Sequence, residues 1–170
     1  MSVEYDEYLE KRNKYFRQAC NWIKRSAPEL LKGVSEDEFT FMRDFHHDVD
    51  TIPCIYEPYD IYLFGKPKAI DKVNYRKAKL MRIHMNSYNW QHWILMDEEE
   101  GTVITEMPYI SLLELVCEWW SYSWEKDDLW SIFDYYLTNV NKIKLHKKSR
   151  KELEEMLTIL ETRLNKVRGV

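Results

Sequence analysis

The stretch "YISLLELVCEWWSYSW", residues 109–124, decides the fold of this chain. If it forms a helix, apolar side chains lie on nearly every side of that helix, and Pro108 suits the helix start. A helix that is apolar almost all round is usually buried. We therefore predict that it lies at the centre of the fold, with other helices packed around it.

The remaining sequence predicts those other helices. Only four Gly and five Pro occur in 170 residues, which favours long uninterrupted segments. Ser35 and Glu38 form a capping box before one predicted helix, which carries Phe45 inward, and Ser149 and Glu152 form another. After Ser149 a spacing of three and four residues gives the clearest amphipathic helix: Leu153, Met156, Leu157, Leu160, Leu164, Val167.

Two segments break this pattern. Pro53 and Pro58 predict that residues 50–58 do not form a regular helix. "DEEEGTVITEM", residues 97–107, predicts a small hairpin or a loop, while residues 71–96 are predicted to be mostly helical, with Val73 and Leu80 inward. We predict an all-α, single-domain bundle of about six or seven helices over residues 1–170.

Composition excludes several classes of protein. The net charge is −4 and no basic block stands out, which disfavours general binding of nucleic acids. The three cysteines form no CxxC pair, so a disulfide framework is not expected. Neither a signal peptide nor an apolar run of about 20 residues occurs. We expect a cytoplasmic protein that does not act on membranes.

"DFHHDVD", residues 44–50, concentrates two histidines and three carboxylates. On a helix, Asp44, His47 and Asp48 would face one side, because they are spaced i, i+3, i+4. A histidine beside an aspartate offers a neutral nitrogen and a carboxylate oxygen to a divalent metal. The alternative is that the segment is the polar end of an ordinary helix, since the pair also occurs by chance.

Further metal ligands must come from elsewhere in the chain. His84 lies on the long predicted helix, and Glu118 lies within the apolar "LVCEWW". A buried carboxylate must be paired, bound to metal or protonated. The predicted metal ligands are therefore His47, Asp48, His84 and Glu118. The alternative for Glu118 is that it binds an arginine or a backbone donor.

A phosphate group could be held nearby. Lys79 and Arg82 belong to a segment rich in lysine and arginine, residues 66–82, and Asn89 and His92 follow it. These four are predicted to bind a ligand. The alternatives are that the basic segment is a solvated helix face, and that His92 is a hydrogen-bonded core histidine.

Several segments carry a family resemblance. "NSYNWQHWILMDEEEGTVITEMPYISLLELVCEWWSYSW", "IFDYYLTN", "IKLHKKSRKELEEML" and "HHDVDTIPCIYEPYDIYLFGK" resemble an uncharacterised bacterial and phage family, the domain-of-unknown-function family 5662. The resemblance spans roughly residues 8–160. Trp-Gln-His-Trp and Cys-Glu-Trp-Trp are its most specific parts.

The resemblance implies a helical fold similar to HD-type phosphohydrolases, which use one or two divalent metals to activate water against a phosphoester. His47 and Asp48 match the family's His-Asp pair, and His84 matches a histidine of its middle helix. Glu118 stands where aspartate is usual. Asp44 would orient His47 or act as a base, and Asp48 is likewise a candidate catalytic residue. The implied cofactor is Mn²⁺, Mg²⁺ or Zn²⁺.

The chain departs from the family pattern at other ligand positions. Glu10 stands where a histidine of the first helix is usual. Tyr88 and Asn89 replace a His-His pair, and Asp50-Thr51 replaces Ser-Lys. Carboxylates such as Glu10 and Glu118 would shift the preference towards hard cations, Mg²⁺ or Mn²⁺.

Three functions remain open from the sequence. The first is a metal-dependent hydrolase of a nucleotide or another small phosphoester. The second is a catalytically degenerate, phage-encoded relative that binds a ligand or protein. The third is a structural helical subunit, for example a homodimer formed through the last amphipathic helix. The first ranks above the second because the His-Asp pair shares a predicted face with Asp44.

Overall fold

The computed structural model describes residues 1–168, which form seven α-helices and one two-stranded antiparallel hairpin. The predicted mostly helical fold is therefore confirmed. The elements in chain order are α1 (Val3–Ser26), α2 (Glu36–Phe45), α3 (Pro53–Phe64), α4 (Ala69–Met85), β1 (Ile94–Asp97), β2 (Gly101–Ile104), α5 (Tyr109–Glu125), α6 (Ser131–Asn139) and α7 (Lys147–Arg168).

Helix α5 is the centre of the fold, as predicted. It packs against α1, α7, α6 and α2. Leu112, Leu113, Val116 and Trp120 are fully buried in these interfaces, and the Trp120 ring lies 5.0 Å from that of Trp22 on α1. A helix with apolar groups on most sides needs neighbours on most sides, which explains its central position.

The core has two parts. The larger part joins α5 to the second half of α1, α2, α6 and α7, and the smaller part joins the beginning of α1 to α3 and α4. Leu9 belongs to the smaller part and Phe16 to the larger one. Arg12 lies between these two positions on the same helix and is itself buried. A charged group is thus placed at the junction of the two apolar regions.

The first predicted capping box is confirmed. The Ser35 hydroxyl accepts from the Glu38 amide at 3.2 Å, and the Glu38 carboxylate accepts from the Ser35 amide at 2.8 Å. The hairpin predicted as one option is also present. The Asp97 carboxylate accepts from the amides of Glu99 and Glu100, and Gly101, with φ of 74°, completes the turn.

The second predicted capping box is wrong. Helix α7 begins at Lys147, so Ser149 lies inside it. Its hydroxyl is buried and accepts from the Met107 amide at 2.8 Å. A sequence pattern cannot distinguish a cap from a hydroxyl that serves a distant backbone group, because both satisfy an amide donor.

The prediction that residues 50–58 are not helical is also wrong beyond residue 52. Pro53 occupies the first turn of α3, where no amide bond is needed, and Pro58 lies inside the helix. Pro58 removes only the bond to the Cys54 carbonyl. Cys54 is exposed, so water can replace that bond.

Two helices end earlier than predicted. Helix α2 stops at Phe45, which is 50% exposed rather than inward. Helix α4 stops at Met85, because the Asn86 side chain donates to the Arg82 carbonyl at 3.0 Å and closes the helix end. Val73 and Leu80 on α4 are exposed instead of buried. The reason is that α4 packs mainly on α3 at the outside of the fold.

The amphipathic stripe of α7 is buried within the chain, where α7 packs against α5, except Val167, which is 69% exposed. A homodimer stays a prediction, and it would need a surface other than this stripe. Within residues 1–168, none of the helices has the length and apolar character required to cross a bilayer.

Candidate functional site

Five polar side chains meet where α1, the end of α2 and α5 come together. We call this group the polar cluster: Arg12, His46, His47, Glu114 and Glu118. All except Glu114 are at least 94% buried. Glu114 and Glu118 lie one turn apart on α5 and therefore face the same side of that helix.

Both histidines are buried, for different reasons: His46 continues the buried stripe of α2, whereas His47 lies where the helical path ends. His46 keeps helical backbone angles, whereas His47 has φ of −100° and ψ of 15°. The two rings are 4.4 Å apart and nearly perpendicular. Phe16 stacks on the His46 ring at 3.6 Å with an angle of 4° between the planes. This stacking fixes the orientation of the His46 imidazole.

His46 bridges the two glutamates. Its Nδ1 lies 2.7 Å from the Glu114 carboxylate and its Nε2 lies 3.1 Å from that of Glu118. Burial disfavours the charge on His46, but the hydrogen bonds to Glu114 and Glu118 outweigh it and raise its pKa. Since carboxylates only accept, both ring nitrogens donate, and His46 is an imidazolium in this arrangement.

His47 is held in the opposite charge state. Its Nδ1 lies 2.8 Å from the Asn13 side-chain oxygen, so Nδ1 carries the proton. Burial, together with the positive charge of His46, holds the pKa of His47 well below its usual range. Its Nε2 is buried, has no hydrogen-bond partner among residues 1–168, and lies 3.9 Å from the Glu118 carboxylate. A neutral nitrogen with a free lone pair therefore faces the cluster.

Arg12 compensates the charge of Glu118. It donates to the Glu118 carboxylate at 3.2 Å and to the Ser121 hydroxyl at 2.8 Å, and its guanidinium lies 3.6 Å from the Tyr122 ring centroid. Burial raises the pKa of Glu118, but the hydrogen bond from His46 and the charges of His46 and Arg12 lower it far below its usual value. The structure therefore confirms the alternative prediction for Glu118, in which an arginine is its partner.

Three of these side chains could hold a metal ion. One ligand atom each from His46, His47 and Glu118 lies within 4.8 Å of the others, the one such group found in residues 1–168. Two imidazole nitrogens and one carboxylate oxygen form the protein ligand set of some catalytic zinc sites. A cation here would replace the Nε2 proton of His46, so binding would release a proton.

A second ion pair lies beside the cluster. Arg82 on α4 donates to both carboxylate oxygens of Asp50, at 2.9 Å for the longer bond. Tyr88 packs on the His46 ring, with centroids 4.3 Å apart, and its buried hydroxyl has no hydrogen-bond partner in the described part of the chain. Two buried polar atoms at this site therefore lack a hydrogen-bond partner within residues 1–168: the Tyr88 hydroxyl and His47 Nε2.

The structure brings together two of the four predicted metal ligands. His47 and Glu118 belong to the polar cluster, whereas Asp48 and His84 are exposed. Asp48 begins a 3₁₀ turn outside α2, so the one-sided i, i+3, i+4 arrangement with Asp44 does not form. Asp44 pairs with Arg43 at 2.8 Å and does not contact His47 through a hydrogen bond.

The predicted ligand-binding residues differ in their surroundings. Lys79 is exposed, and Arg82 pairs with the buried Asp50. The Nδ1 of His92 donates to the His84 carbonyl at 2.5 Å, but the side chain is half-buried and not in the core. The Asn89 side-chain amide nitrogen is buried and has no hydrogen-bond partner within residues 1–168.

Sequence reasoning missed Arg12, Asn13 and His46 as site residues. Arg12 carried a signal, because it occupies the same stripe of α1 as the buried Leu9 and Phe16. His46 carried the same kind of signal, since it follows the buried Phe39 and Met42 at helical spacing. Glu10, predicted from the resemblance to replace a ligand, is exposed, whereas Asn13 contacts His47.

The lowered pKa of His47 predicts a pH-dependent stability. The contribution of a group with a lowered pKa is fully present above its unfolded value, about 6.5 for histidine, and is lost as the pH falls towards the folded pKa. For protein from which a chelator has removed metal ions, we expect the unfolding free energies of wild type and His47→Gln to converge as the pH falls from 6.5 to 5. The difference should shrink by up to about 1.4 kcal/mol per pH unit. Urea denaturation measures this, with His84→Gln as the exposed control. A constant difference would contradict it.

The fold and the site define a mostly helical protein with a buried histidine–carboxylate–arginine cluster. The chain belongs to the family of unknown function DUF5662, whose model matches residues 55–159. The matched region contains Glu114 and Glu118 but ends short of Arg12, His46 and His47 on the N-terminal side. No curated protein and no solved structure matches the chain.

Proposed function

We propose that this protein is a divergent metal-dependent phosphohydrolase acting on a nucleotide or another small phosphoester. The observation that carries the proposal is the state of His47. Its Nδ1 donates to Asn13, while its buried Nε2 faces Glu118 and has no hydrogen-bond partner in residues 1–168. Metal-binding histidines usually donate their other ring nitrogen in this manner, which fixes the tautomer and the ring orientation.

The ligands differ from those that the sequence suggested. We propose that His46, His47 and Glu118 hold the cation and that Glu114 keeps the His46 ring in place through its bond to Nδ1. Because two of the three donors are imidazoles, Zn²⁺ suits the set better than Mg²⁺, which prefers oxygen ligands. The HD-like relationship and the bacterial or phage origin stay predictions.

Side chains beside the proposed metal ligands would bind the substrate. A bound divalent metal supplies an activated water and polarises a phosphoryl oxygen. Arg82 is the group beside the cluster best placed to bind phosphate, since its side chain is 20% exposed while Asp50 is buried. Opening of the Arg82–Asp50 pair would admit a phosphate and give the guanidinium a new anionic partner. The Tyr88 hydroxyl could donate to a substrate or water oxygen.

Metal binding is the first test. At a concentration 100-fold above Kd, Zn²⁺ or Mn²⁺ is expected to stabilise the chelated protein by about 2.7 kcal/mol, which raises Tm by about 5–10 °C. His47→Ala should abolish the shift, and His84→Ala, which removes an exposed histidine, should retain it. Differential scanning calorimetry measures both. An equal shift in wild type and His47→Ala would exclude this metal site.

Hydrolysis is the second test. The metal-loaded protein is expected to release nitrophenolate from 4-nitrophenyl phosphate or bis(4-nitrophenyl) phosphate, or phosphate from nucleotides, and to lose the activity on chelation. Arg82→Gln should raise KM more than it lowers kcat, because it removes phosphate binding. Metal binding with no turnover of any of these substrates would reject the hydrolase and leave the binding module.

One observation favours that second candidate, a family member that binds without catalysis. Arg12 and His46 both donate to the same oxygen of Glu118, so the carboxylate is already neutralised. A cation must compete with this arrangement. If Zn²⁺, Mn²⁺ and Mg²⁺ all fail to stabilise the protein, this result would support a cluster that serves only folding. The binding site for a ligand or protein would then lie elsewhere.

A further inference from the structure

We propose that a cavity between α5 and α6 binds a small, flat aromatic molecule that carries an anionic group. The cavity has a volume of about 340 Å³, within the usual range for small-molecule sites. Its walls include Trp119 and Tyr122 of α5 and Tyr135 of α6. We call it the aromatic cavity. It shares no metal-ligand candidate with the polar cluster, so this proposal goes beyond the proposed function.

The aromatic walls leave apolar surface open to solvent. Tyr122 is 45% exposed and Tyr135 is 47% exposed. The Trp119 and Tyr135 rings are 5.4 Å apart and inclined at 62°, and the fully buried Ile132 adds apolar surface between the helices. A flat ring can pack against such walls edge-to-face or by offset stacking, and it covers their exposed surface.

The two serine hydroxyls of the cavity do not require a polar ligand. Ser131 donates to the Asp128 carbonyl at 2.8 Å, and its oxygen lies 2.9 Å from that of Ser123. Because Ser131 uses its proton on Asp128, Ser123 is the donor between them. Both hydroxyls therefore already have partners. The body of the ligand can be apolar.

The positive charge in the cavity lining favours an anionic ligand. Lys126 is the one lining side chain with a formal charge, and it is exposed without an ion-pair partner in residues 1–168. The acids that follow it, Asp127 and Asp128, line a different cavity beside Trp22. Glu118 contacts the Tyr122 hydroxyl at 3.4 Å, but its charge is compensated by Arg12. A carboxylate, sulfonate or phosphate at the Lys126 end would therefore gain a partner.

The test uses protein from which a chelator has removed metal ions. Its three probes have similar shapes but different charges: 1-naphthoate, 1-naphthalenemethanol and 1-naphthylmethylammonium. Isothermal titration gives affinities, and the Trp119 indole signal in ¹H–¹⁵N spectra reports the location. Naphthoate is expected to bind about five-fold more tightly than the ammonium probe, the size of an exposed ion pair. Lys126→Glu should reverse this order without weakening the neutral probe.

A second pair of variants tests the walls. Tyr135→Ala is expected to weaken all three probes by about 2- to 10-fold, the range for one aromatic contact. Leu137→Ala, also on α6 and 69% exposed but outside the cavity lining, is the control and should change nothing. No binding of any probe to the wild type, an order unchanged by Lys126→Glu, or full affinity of Tyr135→Ala would each overturn the proposal. None of these results depends on metal binding or hydrolysis.

Discussion

Glu118→Gln is expected to lower the free energy of unfolding by about 3–5 kcal/mol at pH 7, the usual loss when one partner of a buried ion pair is removed. The substitution keeps the size of the side chain but removes the charge. Arg12 and His46 would then remain buried beside a neutral amide. Glu125, 3.4 Å from Arg12, compensates only part of this loss.

Glu106→Gln is the matched control. Glu106 is exposed and pairs with the exposed Lys148 at 2.8 Å, and solvent screening leaves such pairs with little effect on stability. Urea denaturation of both variants and wild type measures the comparison. Equal small losses for Glu118→Gln and Glu106→Gln would show that the polar cluster contributes nothing particular to stability. The measurements use protein from which a chelator has removed metal ions, so the result does not depend on a bound metal.

Phe16→Ala is expected to lower the free energy of unfolding by about 3–5 kcal/mol, as for other buried aromatic residues truncated to alanine. Phe16 is fully buried on α1. Its ring is parallel to that of His46 at 3.6 Å, so its loss leaves a cavity and also releases the imidazole. We therefore expect weaker metal binding at His46 in this variant, in addition to the lower stability.

Phe41→Ala is the control for this substitution. Phe41 is 66% exposed on α2 and stacks on Phe45, which is exposed as well. Its truncation is expected to cost less than about 1 kcal/mol. Chemical denaturation gives the stabilities, and titration with Zn²⁺ gives the metal affinities. A Phe16→Ala protein as stable as Phe41→Ala would contradict the packing described for the core.

The polar cluster shows why a motif is a poor guide to a site. The sequence directed attention to Asp44, His47 and Asp48, whose spacing places them on one face only if the helix continues through them. Helix α2 ends at Phe45. His46 still follows the buried stripe of Phe39 and Met42, whereas the change in backbone direction at His47 leaves Asp48 at the surface. The unpredicted helix end therefore removed Asp48 from the expected ligands.

Local signals were sufficient wherever nearby residues decide the outcome. The apolar character of residues 109–124 predicted a central helix, and Ser35 with Glu38 predicted the start of α2. In both cases the groups that satisfy one another lie within a few residues or on one helix. Ser149 shows the limit, since its hydroxyl serves the Met107 amide, 42 residues away in sequence.

The sequence by itself determined that the chain is mostly helical, that α5 is buried, and that Glu118 needs a partner. Only the tertiary structure decided which partner it has, because α1, α2 and α5 bring Arg12, His46 and Glu118 together from positions up to 106 residues apart. Periodicity records which face of a helix is apolar, but it holds no information about which buried polar groups of different helices meet. That pairing depends on the packing of the helices, which forms between elements distant in sequence.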